Sequence, residues 1–187
     1  NEHIAAAIPN YIAIDTLCLS PLLFPMRPYH ALVKDDKLQS DSVNNPLNDS
    51  VKAKELFDDE ISAYRRLPRK LQQIFCSLLG NTKQFYGFFH YLNEVPLLDP
   101  ERAIRDYFHG KICTSADIAL LIRKVPVELA YTLALINTND RHSVTPAWVL
   151  RNYPRINNVI RLLRSTPCED GCEYCSRKLD VRARLKD

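Results

Sequence analysis

Three cysteines stand close together in the sequence, as Cys168, Cys172 and Cys175 in the stretch CEDGCEYC. The chain holds 6 cysteines, so half of them fall within this short segment. A thiolate is a strong ligand for Zn²⁺ and for iron–sulfur clusters, and cysteines on one turn can converge on one centre. Gly171 lets the chain bend between the first two of them. The stretch therefore predicts a metal or iron–sulfur site.

A fourth ligand is expected in addition to the three cysteines, because Zn²⁺ and the common iron–sulfur clusters usually bind four ligands. Cys113 is our first choice, since it lies in a loop between two predicted helices, where a side chain can reach outward. His142, in the polar segment NTNDRH, is the alternative. Cys18 and Cys76 lie in apolar stretches and are expected to be small core residues. The predicted ligand set is Cys113, Cys168, Cys172 and Cys175.

Zn²⁺ is the favoured occupant of this site, and a [4Fe-4S] cluster is the alternative. Zinc ligands usually come as two pairs, whereas three grouped cysteines with a remote fourth also suit a cluster. The spacing CxxxCxxC resembles the motif of radical S-adenosylmethionine enzymes, where three cysteines hold a [4Fe-4S] cluster and the cofactor completes it. In that family the motif follows the first strand of an α/β barrel. The patterns here are helical, so we do not assign the chain to it.

No catalytic pattern accompanies the cysteines. The sequence contains no HExxH, no GxSxG and no HxE with PCxxC. It has only 4 glycines and neither GxxxxGK[ST] nor GxGxxG, which argues against a nucleotide-binding loop. We therefore expect a binding protein rather than an enzyme.

The positive charge is concentrated in the last quarter of the sequence. Residues 141–187 hold ten Lys/Arg and five Asp/Glu, a balance of +5, whereas residues 1–140 hold fifteen and seventeen, a balance of −2. A basic region on a near-neutral body suggests an anionic partner, of which nucleic acid is the commonest. A solvated basic tail is the alternative interpretation.

One predicted helix, RINNVIRLLR at 155–164, combines an apolar stripe with a polar face that carries no acidic residue. Arg can bind guanine edges or phosphates, and Asn can bind adenine. Further basic residues follow the cysteines and would add non-specific attraction. The predicted nucleic-acid contacts are Arg155, Asn157, Asn158, Arg161, Arg164, Arg177, Lys178, Arg182 and Arg184.

The rest of the chain has helical periodicity, which predicts a mostly α multi-helix bundle with a small C-terminal Cys-ligated metal motif. Residues 114–136 form either a helix-turn-helix or an ordinary helical hairpin, and the almost uncharged second helix favours the hairpin. The stripe of Phe85, Phe88 and Phe89 has the spacing of a core face. We divide the chain into an apolar N-terminal segment at 1–33, a polar linker at 34–50, a helical domain at 51–165 and a cysteine-rich basic tail at 166–187.

The apolar N-terminal segment is expected to pack on the helical body rather than enter a membrane. Asp15 and the prolines Pro9, Pro21 and Pro25 interrupt it, and no basic residue precedes the apolar run as in an export signal. Free thiols and the missing export signal favour the cytoplasm.

These features together predict a nucleic-acid-binding protein, with DNA favoured over RNA. It would act in transcription regulation or as an accessory module of a DNA-processing machine. The alternative is a helical protein–protein adaptor that assembles through the apolar N-terminal half and carries a structural metal site.

Overall fold

The computed structural model describes residues 12–27, 46–138, 145–165, 168–169 and 171–184. Within these ranges the chain forms ten helices and no strand, which confirms the mostly α fold class. The helices are α1 Thr16–Leu23, α2 Pro46–Arg66, α3 Arg69–Leu79, α4 Tyr86–Tyr91, α5 Pro100–Tyr107, α6 Ile118–Lys124, α7 Pro126–Thr138, α8 Ala147–Asn152, α9 Ile156–Arg164 and α10 Glu173–Arg184.

Aspartate side chains begin three of these helices. Asp15 accepts a hydrogen bond from the Cys18 N–H at the start of α1, and Asp99 and Asp117 cap α5 and α6 in the same way. Each cap satisfies a backbone N–H that has no partner within the helix. The Asp117 cap therefore fixes the end of the loop from α5 to α6, which carries Cys113.

Helix α7 is the centre of the bundle and contacts α1, α3, α6 and α9. It is buried on nearly every side, and Leu129, Ala130 and Leu133 are fully enclosed. The Tyr131 hydroxyl donates to the Cys18 carbonyl at 2.8 Å and ties α7 to α1. Phe85, Phe88 and Phe89 are buried in the same core, as their helical spacing predicts.

The hairpin predicted at 114–136 is formed by α6 and α7, with Val125 between them. The second helix of a helix-turn-helix must present an exposed polar face to the major groove. Helix α7 has no such face, because none of its side chains is exposed. Most of them, including Val127 and Leu129, are buried. The pair is an ordinary helical hairpin.

Helix α2 begins at Pro46, within the predicted linker at 34–50. Proline is favoured in the first helical turn, where its missing N–H costs nothing. Polar composition alone does not separate a loop from the start of a helix that extends into solvent. Residues 34–45, the rest of that linker, lie outside the described ranges.

Of the apolar N-terminal segment, residues 12–27 are described. Helix α1 buries Leu19, Leu22 and Leu23 and contacts α2 and α7. None of the helices in the described ranges is both long and apolar enough to cross a membrane.

Candidate metal centre and basic surface

Four cysteine sulfurs meet at one point on the bundle. The Sγ atoms of Cys113, Cys168, Cys172 and Cys175 all lie within 4.8 Å of one another. The Cys172 and Cys113 sulfurs, 59 positions apart in sequence, are separated by 4.0 Å. Cys113 and Cys175 are buried and the other two are half-buried. The cluster has the donor type and number that a tetrahedral metal ion requires.

The loop after α5 brings Cys113 to this point. Gly110 has a φ of +67°, a left-handed conformation that turns the chain away from the helix. The Cys113 N–H then donates to the Leu163 carbonyl of α9 at 2.8 Å, and the Arg164 Nε donates to the Lys111 carbonyl at 3.0 Å. These two hydrogen bonds attach the loop to the end of α9 and fix the position of the Cys113 sulfur.

The other three cysteines come from the turn that leads into α10. Gly171 adopts a φ of +65° within this turn, and the Cys172 N–H donates to the Cys168 sulfur at 3.2 Å. Cys175 lies in the first turn of α10, where the Ser176 hydroxyl donates to the Gly171 carbonyl at 2.7 Å. Backbone N–H groups that point at sulfur stabilise thiolate over thiol.

The thiols of the cluster do not ionise independently. Burial alone raises the pKa of Cys172, but hydrogen bonds from the Thr114 and Cys175 backbones and from neighbouring thiols lower it to about 6. The Cys168 backbone lowers the pKa of Cys175, but burial and the adjacent thiols outweigh it and raise that pKa to about 12. One thiolate thus suppresses the ionisation of its neighbours. A divalent cation among the sulfurs would remove this repulsion and allow all four to ionise.

Helix α10 is held against the end of α9 by side chains on both sides of the cysteines. The Tyr174 hydroxyl and the Lys178 Nζ both donate to the Arg164 carbonyl, at 3.0 and 2.7 Å. Glu173 lies 3.4 Å from His109 Nδ1 and also pairs with Arg177. The Arg164 carbonyl and guanidinium therefore join three segments: α9, the Cys113 loop and α10.

The remaining candidates were His142, Cys18 and Cys76. His142 is outside the described ranges. Cys18 and Cys76 are buried core residues, as predicted from their apolar surroundings. Burial is the main cause that raises the pKa of Cys18 to about 12 and of Cys76 to about 11, so both remain neutral thiols.

The predicted nucleic-acid contacts differ in burial. Arg155, just before α9, is exposed, as are Asn157, Asn158 and Arg161 on α9, and the Arg161 guanidinium donates to the Asn158 side chain at 3.0 Å. Arg164 and Lys178 are half-buried and make the hydrogen bonds given above. The exposed Arg177 pairs with Glu173, and the side chains of Arg182 and Arg184 lie outside the described residues.

Several residues at the site were not predicted from the sequence. Arg151 is exposed on α8, five residues before α9 begins, and the stretch 145–165 contains no Asp or Glu. Tyr174 and His109 help to hold α10. Nothing in their spacing indicates this, because their partners are distant in sequence.

Comparison of the chain with protein-family models, with curated proteins and with solved structures finds no match. Its function must therefore be inferred from its own residues.

Proposed function

We propose that the chain is a helical nucleic-acid-binding protein in which a structural Zn²⁺ fixes the C-terminal helix beside a basic helix. DNA is the favoured ligand, and the role is that of a regulator or an accessory module of a DNA-processing machine. The observation that carries the proposal is the cluster of four cysteine sulfurs attached directly to α9, the helix with the exposed Arg and Asn side chains.

The sulfur spacing supports a single ion over an iron–sulfur cluster. Ligands about 2.3 Å from a tetrahedral Zn²⁺ lie about 3.8 Å from one another. The 4.0 Å between the Cys172 and Cys113 sulfurs is close to this value. In a [4Fe-4S] cluster each cysteine binds a different iron at the corner of a cube, which holds the sulfurs farther apart. Cys113, Cys168, Cys172 and Cys175 would hold the Zn²⁺, whose contribution is structural.

The composition of the surface supports an anionic ligand. Arg151, Arg155 and Arg161 are exposed along α8 and α9, and no carboxylate occurs between residues 145 and 165. An ordinary solvent-facing helix mixes acidic and basic residues. A run of cations with interspersed Asn is typical of a surface that neutralises phosphates and contacts base edges.

We divide the basic residues into two roles by their burial and their contacts to backbone carbonyls. Arg164 and Lys178 bond backbone carbonyls, so we assign them to holding the metal site and α10 together. Arg155 and Arg161 remain on the exposed face of α9, and we assign phosphate and base contacts to them and to Asn157 and Asn158.

The proposal is tested by metal analysis together with a binding titration. Protein purified without added metal should carry one Zn²⁺, and it should be colourless rather than brown. The zinc-loaded protein should then bind random and selected DNA duplexes with an affinity that falls steeply with salt, because bound counterions are released. Single strands and RNA are measured in parallel. Wild-type protein that binds none of these at low salt would rule out the nucleic-acid function.

A protein–protein adaptor is the second candidate, and one observation favours it. Large apolar side chains are exposed on α4 and the loop after it, namely Tyr91, Val95 and Leu98, of which Leu98 is fully exposed. Exposed apolar side chains grouped in one region are typical of a surface that binds another protein. Replacing Leu98 and Val95 by Ser should leave DNA binding unchanged if α9 is the functional surface. It should abolish partner binding if the adaptor function is correct.

A further inference from the structure

The four clustered cysteines differ in how far solvent reaches them. Cys113 and Cys175 are 1% and 3% exposed, whereas Cys168 and Cys172 are half-buried. Gly171, which precedes Cys172, is exposed and has no side chain that could cover the sulfurs. A small solute that approaches from solvent therefore meets Cys168 and Cys172 before it meets the other two.

The two accessible cysteines are also the pair that can approach each other most easily. Both belong to the turn before α10, and the Cys172 N–H donates to the Cys168 sulfur at 3.2 Å. Two ligand sulfurs lie about 3.8 Å apart around a tetrahedral Zn²⁺ and about 2.0 Å apart in a disulfide, so a shift of roughly 2 Å within this turn would join them. The Cys113 sulfur is also only 4.0 Å from that of Cys172, but Cys113 is buried and its N–H is bonded to the Leu163 carbonyl of α9.

The chemistry of a thiolate at such a place is oxidation by peroxides. The thiolate, not the thiol, is the nucleophile, and a bound divalent cation keeps its sulfur ligands deprotonated. A sulfur that is first oxidised to sulfenic acid condenses with an adjacent thiolate to a disulfide. Cys18 and Cys76 are buried neutral thiols without such a neighbour among the described residues, so they should react far more slowly.

We propose that Cys168 and Cys172 of the zinc-loaded site form a peroxide-sensitive pair, whose oxidation to a disulfide releases Zn²⁺ and frees α10. This proposal rests on the zinc site proposed above. The first thiolate attacks a peroxide oxygen, the O–O bond breaks, and the departing oxygen takes up a proton and leaves as water. The second thiolate attacks the sulfenic sulfur, the S–O bond breaks, and the hydroxide takes up a second proton. Two sulfurs thus supply the two electrons that reduce one hydrogen peroxide to two waters.

Loss of two thiolates leaves Cys113 and Cys175 as the only cysteine ligands, too few to hold Zn²⁺. Helix α10 then depends on the hydrogen bonds of Tyr174 and Lys178 to the Arg164 carbonyl. Because the energy of metal binding at such a site is also folding energy, the helix loses most of its attachment when the ion leaves. The oxidant therefore acts on the end of the chain beside the basic helix while the buried bundle stays intact.

The test adds hydrogen peroxide to the full zinc-loaded chain. The Zn²⁺ content is measured before the addition, released Zn²⁺ is followed with a chromogenic chelator, and disulfides are mapped by alkylation, digestion and mass spectrometry. A sample without peroxide shows how much Zn²⁺ the chelator removes by itself. We expect one Zn²⁺ released for each Cys168–Cys172 disulfide, with Cys18 and Cys76 still reduced. Amide exchange at 173–178 should become faster, and a dithiol reductant with added Zn²⁺ should reverse both changes.

Two variants test the pairing. Cys168→His supplies a nitrogen ligand of the kind found in sites with three cysteines and one histidine, but it cannot form a disulfide. It should keep its Zn²⁺ at a peroxide dose that empties the wild type. Cys18→Ser is the matched control, since Cys18 is a buried core residue on α1, and it should release Zn²⁺ as the wild type does. If Cys168→His binds no Zn²⁺, the disulfide map of the wild type decides.

The outcomes against the proposal are distinct from failure of the zinc site itself. Zinc-loaded wild type that keeps its Zn²⁺, that loses it without a disulfide, or that forms the disulfide with Cys113 or Cys175 overturns the proposal and leaves the zinc site standing. Release from Cys168→His at the wild-type rate does the same. Protein that carries no Zn²⁺ before peroxide is added overturns both.

Discussion

The backbone N–H of Cys113 donates a hydrogen bond to the carbonyl of Leu163 at 2.8 Å, which joins the cysteine farthest from the cluster in sequence to the end of the basic helix. Helix α10 contacts the same end of α9, because the Tyr174 hydroxyl and the Lys178 Nζ donate hydrogen bonds to the Arg164 carbonyl. The Cys113 loop and α10 are therefore attached to the same end of α9, beside the four cysteine sulfurs.

Replacing Cys172 by Ser should release the metal and loosen α10. Removal of one thiolate leaves an incomplete tetrahedral site, and the binding energy of such sites is also folding energy, so the cost is several kcal/mol. Metal content and thermal stability are the measurements. Cys18→Ser is the matched control, because Cys18 is a core residue on α1. This variant should keep one metal ion per chain. Full metal content in Cys172→Ser would show that Cys172 is not a ligand.

Removing the metal with a chelator should free α10 while the bundle stays folded. Among the described residues α10 is held by the cysteine turn and a few side-chain hydrogen bonds, whereas α7 lies in the core. Amide exchange at 173–178 should rise to nearly that of an unfolded segment, and exchange in α7 should change little. Loss of protection in both helices would mean that the metal stabilises the whole bundle.

The cysteine cluster was predictable from the sequence for a simple physical reason. Few residue types bind metal strongly, and of the remaining cysteines only Cys113 was predicted to lie in a loop, which made it the first choice for the fourth ligand, with His142 as the alternative. The helical class followed in the same way from the 3.6-residue periodicity of the apolar residues.

The roles of Arg164 and Lys178 could not be predicted in this way. Both residues read as surface cations by type and spacing. Their hydrogen bonds to the Lys111 and Arg164 carbonyls depend on which helices pack together, and tertiary contacts of this kind leave no periodic pattern. The start of α2 was missed because polar residues fit a loop and a solvent-facing helical turn equally well.

Glu60 should make the stability of the chain fall as pH rises. It is fully buried, and neither carboxylate oxygen has a hydrogen-bond partner among the residues that the structure describes. Burial, followed by the charges of Asp15 and Asp59, raises its pKa from 4.5 to about 8. Between these values the folded chain keeps a proton that the unfolded chain has lost. The contribution of Glu60 to the free energy of unfolding is therefore fully present below about pH 4.5. It decreases as the pH rises from 4.5 to about 8, by at most about 1.4 kcal/mol per pH unit.

Glu60→Gln provides the check on this prediction, because it removes the ionisable group and keeps the shape. Chemical unfolding of metal-loaded wild type and variant at a series of pH values should show a flatter profile for the variant, which should be the more stable protein above pH 8. The cysteine site titrates in both proteins and cancels in the difference. Parallel profiles would show that Glu60 does not carry the pH dependence.

Tyr174→Phe should weaken the docking of α10 without changing the metal stoichiometry. The variant loses the hydrogen bond from the hydroxyl to the Arg164 carbonyl, which is worth about 0.5–1.5 kcal/mol. Amide exchange in α10 should accelerate by roughly the factor that this loss of free energy corresponds to, while the four cysteines keep their metal. Unchanged exchange would show that the thiolates alone hold the helix.

Arg161→Gln and Arg164→Gln should behave differently although the two residues are one helical turn apart. Arg161 is exposed, so its loss should change stability by less than about 0.5 kcal/mol. If Arg161 contacts a phosphate, Arg161→Gln should also reduce the slope of log affinity against log salt by about one.

The Arg164 guanidinium instead donates to the Lys111 carbonyl, two residues before Cys113. Arg164→Gln should therefore cost about 1–3 kcal/mol of stability and weaken metal retention. The measurements are thermal unfolding, metal content and DNA titrations across several salt concentrations, with all variants zinc-loaded at the start. Arg102→Gln is the control for a cation outside the site, since its side chain is exposed and pairs with Asp106 on α5. It should leave the salt slope unchanged. Equal effects of Arg161→Gln and Arg164→Gln on both stability and salt slope would show that the internal hydrogen bond does not separate their roles.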